Sequence, residues 1–306
     1  VEYWISVLSL MGIHALMALS VYAVMSTGQV TFGQQGFFAI GAYFAAFSTV
    51  MWGFSLLTAI ILAGLVSAGF GIAVGFPALR IRGFYLAIAT LAFAEIVRLF
   101  FLNLTYQRQI GDRIVGPDGA HGFRYIDYIV HHQITLQKYI GIIYLTLGIF
   151  VVFFILVERS RVGAAFKSVE EDETASSMLG LNVTTIKVSA FTMGAFIAGV
   201  AGALYAHYMQ FVVQDFFGIN IGIYFVAYVM IGGLGSFMGP LLGATMLVLL
   251  TEILRFMQGY RMILYGGLII AVVIFRPRGI IDEMLMHKLK MLFTRKLPAG
   301  EQAEDK

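Results

Sequence analysis

Apolar residues run along this chain in long blocks, broken by short polar stretches. Blocks near 5–25, 34–52, 55–76, 84–104, 139–157, 186–211, 218–233, 238–256 and 261–275 predict membrane-spanning helices, since a helix needs about 20 apolar residues to cross a bilayer. The seventh and ninth blocks are short for a hydrocarbon core of about 30 Å, which predicts broken or tilted helices there. The alternating ten-residue segments of an outer-membrane barrel are not seen. The pattern predicts an all-α polytopic membrane protein of about 8–10 transmembrane helices, some broken or re-entrant.

The polar stretches orient these spans. The 77–83 loop carries Arg80 and Arg82, and 158–187 carries Arg159, Arg161, Lys167 and Lys187. The tail carries Arg276, Arg278, Lys288, Lys290, Arg295, Lys296 and Lys306. The excess of basic residues puts the tail in the cytoplasm, and span parity then puts 77–83 and 158–187 there too. The 105–138 loop falls outside, against the pull of its own Arg108, Arg113, Arg124 and Lys138. Within 281–306, Ile281, Leu285, Leu289 and Leu292 recur at helical spacing among Lys288 and Lys290, the pattern of an amphipathic helix on the inner leaflet. Residues 1–280 thus read as the transmembrane domain, with 281–306 as a basic cytoplasmic tail.

Composition agrees with this reading. Of 306 residues, 59% are hydrophobic and 12% charged, and the mean hydropathy is +0.87. Cys is absent, which excludes disulfides and thiolate metal sites. The first block, Ile5 to Met25, is too long and lacks the basic flank of a cleavable signal peptide. The chain begins with Val rather than Met, which a Val-coded start or a trimmed terminus explains. GxxxxGK, HExxH and GxSxG sequences are missing, so neither a phosphate loop nor a hydrolytic motif is expected. His121, His131 and His132 in the outer loop read as solvated imidazoles rather than metal ligands.

The functional signals lie in the glycines and the polar residues at membrane depth. Gly28, Gly33, Gly36 and Gly41 punctuate TGQVTFGQQGFFAIGAY, together with Gln29, Gln34 and Gln35. Gly232, Gly233, Gly235, Gly239 and Gly243 punctuate IGGLGSFMGPLLGA, with Pro240 added. Gly costs a helix interior about 1 kcal/mol relative to Ala, and Pro about 3. Non-helical backbone at membrane depth is tolerated where protein or a water-filled cavity satisfies it, and broken helices of this kind build transporter sites. The alternative is close packing of helices through small residues, as at Gly71-xxx-Gly75 and Ala198-xxx-Gly202. Gly33 with Gly41-Ala42 and Gly235 with Gly243-Ala244 share one spacing, a faint sign of an inverted repeat.

Glu95 stands near the middle of a span with Arg98 one helical turn on. An ionisable group there needs a partner, and serves either a structural ion pair or the solute pathway. His207 reads as a hydrogen-bonded interior residue. The segment from Glu158 to Lys187 is long enough for two short helices. Its acidic run from Glu170 to Glu173 lies beside the apolar Ala175, Met178 and Leu179, which suits docking of a soluble partner.

Taken in order, TGQVTFGQQGFFAIGAY, FPALRIRGFYLAIATLAFAEIVRLFFLN, GPDG, ERSRVGAAFKSVEEDETASSMLGLNVTTIKVSAF, AGVAGALYAHY, GGLGSFMGPLLGA and YGGLIIAVVIFRPRG resemble one family. It is the LivM-like branch of permease subunits of ABC importers for branched-chain amino acids, and the likeness runs from about residue 12 to 280. The resemblance implies a subunit of the bacterial inner membrane with a sister permease, two cytoplasmic ATPase subunits and a periplasmic solute-binding protein as partners, and no nucleic acid. ATP and Mg would bind the ATPases; no cofactor is expected in this chain, and it is not expected to be an enzyme. The family's coupling helix corresponds to Glu171, Asp172, Glu173, Ala175, Leu179 and Gly180, where Glu173 to Gly180 is a loose E-x-A-x-x-x-x-G. The solute path is expected along Gln29, Gly33, Gln34, Gln35, Gly36, Glu95, Gly232, Gly233 and Gly235. The family often reads GQVSLGHAAF where this chain has GQVTFGQQGF, so Gln34 and Gln35 replace a His-Ala pair. Importers of urea, amides or aromatic acids are similar, and a secondary transporter or channel working without ATPases is the alternative of another class.

Overall fold

The computed structural model describes residues 2–81, 83–110 and 113–253, with Gly266, Gly267 and Ile270. The ninth apolar block and the basic tail lie almost wholly outside them. The remaining predicted spans appear as helices: α1 (Glu2–Met25), α2 (Gln34–Val50), α3 (Leu56–Ala78), α4 (Phe84–Asn103), α6 (Leu136–Glu158), α9 (Val183–Met209), α10 (Ile219–Gly232) and α11 (Met238–Ile253). Between them come α5 (Tyr128–His131), α7 (Arg161–Glu171) and α8 (Glu173–Met178). Among the described residues, five helices are long and apolar enough to cross a membrane, whereas α10 has 14 residues and the described part of α11 has 16. At about 1.5 Å per residue α10 reaches roughly 21 Å, short of a bilayer core; the residues that directly follow Ile253 of α11 lie outside the described ones.

Burial sorts the helices into a centre and a shell. The most apolar windows of α1 and α9 are 78% and 72% buried, against 33% for α3 and α4 and 17% for α6. Helix α2 is buried along nearly its whole length. Glycine makes the central crossings possible: a Cβ on Gly41 would run into the backbone of Gly199, and one on Gly202 into the carbonyl of Phe38. Small residues at such crossings let helices gain dispersion contact in lipid, where no hydrophobic force drives association. Here packing, rather than helix breaking, explains Gly41.

Local chemistry sets the breaks within the 158–187 segment. Ser160 caps α7 by accepting from Val162 N–H, Asp172 caps α8 by accepting from Thr174 and Ala175 N–H, and Asn182 caps α9 by accepting from Thr185 N–H. Each satisfies helix-end donors that the chain would otherwise leave unpaired. The segment 158–187 therefore holds the two short helices its length predicts.

Two further features were not legible in the pattern of blocks. The 105–138 loop carries a three-stranded antiparallel sheet, β1 (Arg108–Ile110), β2 (Arg113–Pro117) and β3 (Phe123–Arg124). After α9 the chain pairs Val212 with Phe123 of this sheet, then turns back into the bundle through a 3₁₀ turn at Gln214–Phe217. Phe217 is buried against Phe38, Tyr43 and Tyr205. Helix α10 consequently starts inside the bundle, with Gly222 against the side chain of Gln35.

Candidate functional site

The stretch between α1 and α2 is non-helical from Ser26 to Gly33. It begins beside α7, where a Cβ on Gly28 would lie 3.4 Å from the Cα of Glu170. It then rises along α4: Phe32 N–H donates to Thr90 Oγ1 at 3.1 Å, and a Cβ on Gly36 would lie 3.0 Å from the Cα of Ala94. Thr90 and Ala94 are six and ten residues into α4, about 9 and 15 Å along it. The first turn of α2 is therefore set within the span, and the backbone from Gln29 to Gly33 that precedes it is not helical.

That first turn carries the glutamines. Gln34 is 1% exposed and its Oε1 accepts from Ser20 Oγ at 2.9 Å, while Ser20 Oγ also reaches Gly194 O at 2.8 Å. Gln35 is equally buried, beneath Gly222 of α10. Among the described residues, Gln29 Oε1, Gln34 Nε2, Gln35 Oε1 and Thr192 Oγ1 are buried with no hydrogen-bond partner. A buried polar atom without a partner costs about 1–3 kcal/mol. These atoms lie inside the bundle of this chain and face no open surface.

Glu95 is placed differently. Its carboxylate and the Arg98 guanidinium form a fork: Arg98 Nε lies 2.9 and 3.0 Å from the two oxygens, and Nη2 lies 2.6 Å from Oε1. Arg98 Nη1 reaches Asp215 Oδ1 of the re-entrant turn at 3.1 Å. The side chains are 45%, 22% and 74% exposed for Glu95, Arg98 and Asp215. On the same elements, Ile96, Leu99, Phe100, Phe216, Ile219 and Ile223 are also exposed. The pair Glu95–Arg98 is readable as an i,i+3 spacing; Asp215, 117 residues further on, is not.

The second glycine-rich stretch turns α10 into α11 at Gly233–Phe237. Gly232 packs on Gly239, and Gly243 on the carbonyl of Tyr228, so the two helices meet backbone to backbone. Gly233 (φ +98°) and Gly235 face a cavity of about 810 Å³ beside α7. Its other walls include Tyr22, Glu158, Phe166, Glu170 and Glu171. Gly233 and Gly235 thus lie with Glu158 and α7, and not with Gln34, Gln35 or Glu95. Gly33 and Gly41 meet α4 and α9, whereas Gly243 meets α10, so the matched glycines of the two stretches have different neighbours.

In the 158–187 segment, Met178 and Leu179 are each 81% exposed and Gly180 turns the chain at φ +84°. Glu173 pairs with Lys187, whose side chain is only 7% exposed, fixing α8 to α9. Glu158, which the sequence marks only as the end of a span, is a hub: Oε1 accepts from Tyr22 O–H and from Phe237 N–H, both at 2.9 Å. His207 is fully buried between Ala203 O and Thr49 Oγ1, as an interior residue.

Comparison with known proteins matches this architecture to one family. The profile described as "Branched-chain amino acid transport system / permease component" matches residues 3–273. The "High-affinity branched-chain amino acid transport system permease protein LivM" of Salmonella typhimurium is 34% identical over 95% of this chain and 72% of its own length. LivM of Escherichia coli K12 is 32% identical over 98% of this chain and 74% of its own length. LivH of Escherichia coli K12, also a permease protein of that system, is 27% identical over 44% of each chain. No solved structure matches. With its helices able to cross a membrane, this multi-pass chain belongs to the family of permease components of branched-chain amino acid transport systems.

Proposed function

We propose that this chain forms one half of an inner-membrane solute path, moving a branched-chain amino acid or a related small polar solute by alternating access. It works with a sister permease, two cytoplasmic ATPases and an external solute-binding protein. The solute class is the one printed in the names of its relatives. ATP is hydrolysed in the partner subunits, and the segment 158–187 receives the stroke.

The charged trio Glu95–Arg98–Asp215 carries the placement of the path. A charged residue at the centre of a span costs about 2.5–3.5 kcal/mol on insertion scales unless it meets protein or water. Glu95 and Arg98 within α4, with Asp215 of the 3₁₀ turn paired to them, remain costly against lipid even as an ion-paired trio. The face formed by α4, the 3₁₀ turn and α10 therefore looks onto the sister permease and a wet path. Gln35 lies directly behind α10 on this side and joins the path when α10 moves; Gln34 braces α1 against α2. Selectivity rests mostly with the binding protein, since a site on the path need only differ in affinity between states.

Arg98→Gln tests the reading. In the reconstituted complex it should lower uptake about tenfold or more, consistent with loss of charge-assisted hydrogen bonds of about 1.5–3 kcal/mol, while subunit assembly is retained. Unchanged uptake would remove this face from the path.

A further inference from the structure

We propose that Glu158 links the coupling segment to the α10–α11 hairpin and so sets how tightly ATP hydrolysis is tied to solute movement. The proposal rests on the ATP-driven reading above. Glu158 closes α6 and stands two residues before Ser160, the cap of α7. Its carboxylate holds three groups from distant parts of the chain: Tyr22 O–H of α1 and Phe237 N–H at 2.9 Å, and Ser236 Oγ at 3.5 Å. Phe237 immediately precedes α11, where N–H groups lack helical partners and the helix dipole favours negative charge. A carboxylate here is thus bonded to the hairpin and not merely adjacent to it.

The hairpin responds as a body. Gly232 against Gly239 and Gly243 against Tyr228 leave no room for α10 and α11 to shift separately. At its far end α10 carries Gly222 on Gln35 and follows Asp215, the partner of Arg98. One rigid unit therefore touches Glu158 at one end and the proposed path at the other. Between α7 and the Gly233–Gly235 turn lies the cavity of about 810 Å³, with Phe166, Lys167 and Glu170 on one side and Gly233, Leu234 and Gly235 on the other. Glu158 is a bonded route across it, and the cavity gives α7 room to move. A displacement of α7 and α8 shifts Glu158, tilts the hairpin, and changes the contacts of Asp215 and Gln35.

Glu158 is a positioning residue in this scheme, and a helix cap alone would give stability without coupling. The test compares Glu158→Gln and Tyr22→Phe with the parent in the complete reconstituted complex, measuring solute uptake and ATP hydrolysis in the same vesicles. Glu158→Gln keeps an acceptor for Phe237 N–H but loses the charge. The expected result is ATP hydrolysis within about twofold of the parent with uptake reduced about tenfold, so that ATP spent per solute rises. Tyr22→Phe, which leaves the bonds to the hairpin intact, should stay within about threefold for both. Glu158→Asp should restore part of the uptake. The proposal is overturned if Glu158→Gln leaves the ratio of ATP to solute at the parent value, whether both rates persist or both fall together. If the parent complex itself takes up solute without ATP, the ATP-driven reading fails first, and the proposal with it.

Discussion

Gly41→Ala is the sharpest test of how this bundle is held together. The new methyl group would enter the space occupied by the backbone O, Cα and C of Gly199 on α9. Flexible side chains can move aside; this obstacle is main chain inside a helix that also presses on Ser67 and Ala63 of α3. Overpacking a filled core costs about 1–3 kcal/mol, and a backbone clash belongs at the upper end of that range. Replacing Gly by Ala inside a helix returns about 1 kcal/mol of propensity. The net expectation is destabilisation of about 1–2 kcal/mol. Gly69→Ala on the outer face of α3 is the matched control, since nothing lies within 4 Å of its new Cβ. It gains the propensity and meets no obstacle. The two variants should differ by about 2–3 kcal/mol in opposite directions around the parent. Thermal melts of the purified chain in one detergent, followed by size-exclusion fluorescence, measure that difference. If Gly41→Ala melts at or above Gly69→Ala, the backbone-to-backbone crossing of α2 and α9 is wrong.

Three other outcomes follow from the same geometry. Gly222→Ala would place a methyl 2.6 Å from the Gln35 amide; uptake by the complex should fall, and Gln35→Ala in the same chain should restore part of it, whereas additive losses would disprove the contact. Removing Glu173 leaves Lys187, 7% exposed, as an unpaired buried cation, so Glu173→Gln should cost up to about 3–5 kcal/mol in thermal melts while Lys187→Met costs far less. Equal losses would place the pair at the surface. Leu179→Asp changes a side chain that is 81% exposed and should leave the melting point unchanged while reducing co-purification of the ATPase subunits; retained co-purification would move the docking surface elsewhere.

How much of this was readable in the sequence depends on the range of the interaction. The spans are visible because each is a continuous apolar run, and the observed helices lie within a few residues of them. The breaks at Ser26–Gly33 and Gly233–Phe237 are visible because Gly density is a local property. The fork between Glu95 and Arg98 follows from helical spacing. What was hidden lies far apart in the chain. Glu158 looks like the polar end of a span until Tyr22, 136 residues away, and Phe237, 79 residues away, are found on its carboxylate. The gap at 212–217 shows as a break between two apolar blocks, but the 3₁₀ turn at Gln214–Phe217 and the pairing of Val212 with Phe123 depend on partners far away in the chain. Strands of two to five residues in the 105–138 loop are too short to show a period. The glutamines of the opening stretch were legible as unusual, but their burial under Gly222 and beside Gly194 depends on which helices pack there.

The most direct test of the account is solute uptake into proteoliposomes holding this chain alone, or this chain with its sister permease, two ATPases and binding protein. Radiolabelled leucine, isoleucine and valine would be supplied outside, with ATP or a non-hydrolysable analogue inside. The account expects uptake only from the complete assembly with hydrolysable ATP. Uptake by this chain alone, at a rate indifferent to ATP, would contradict it.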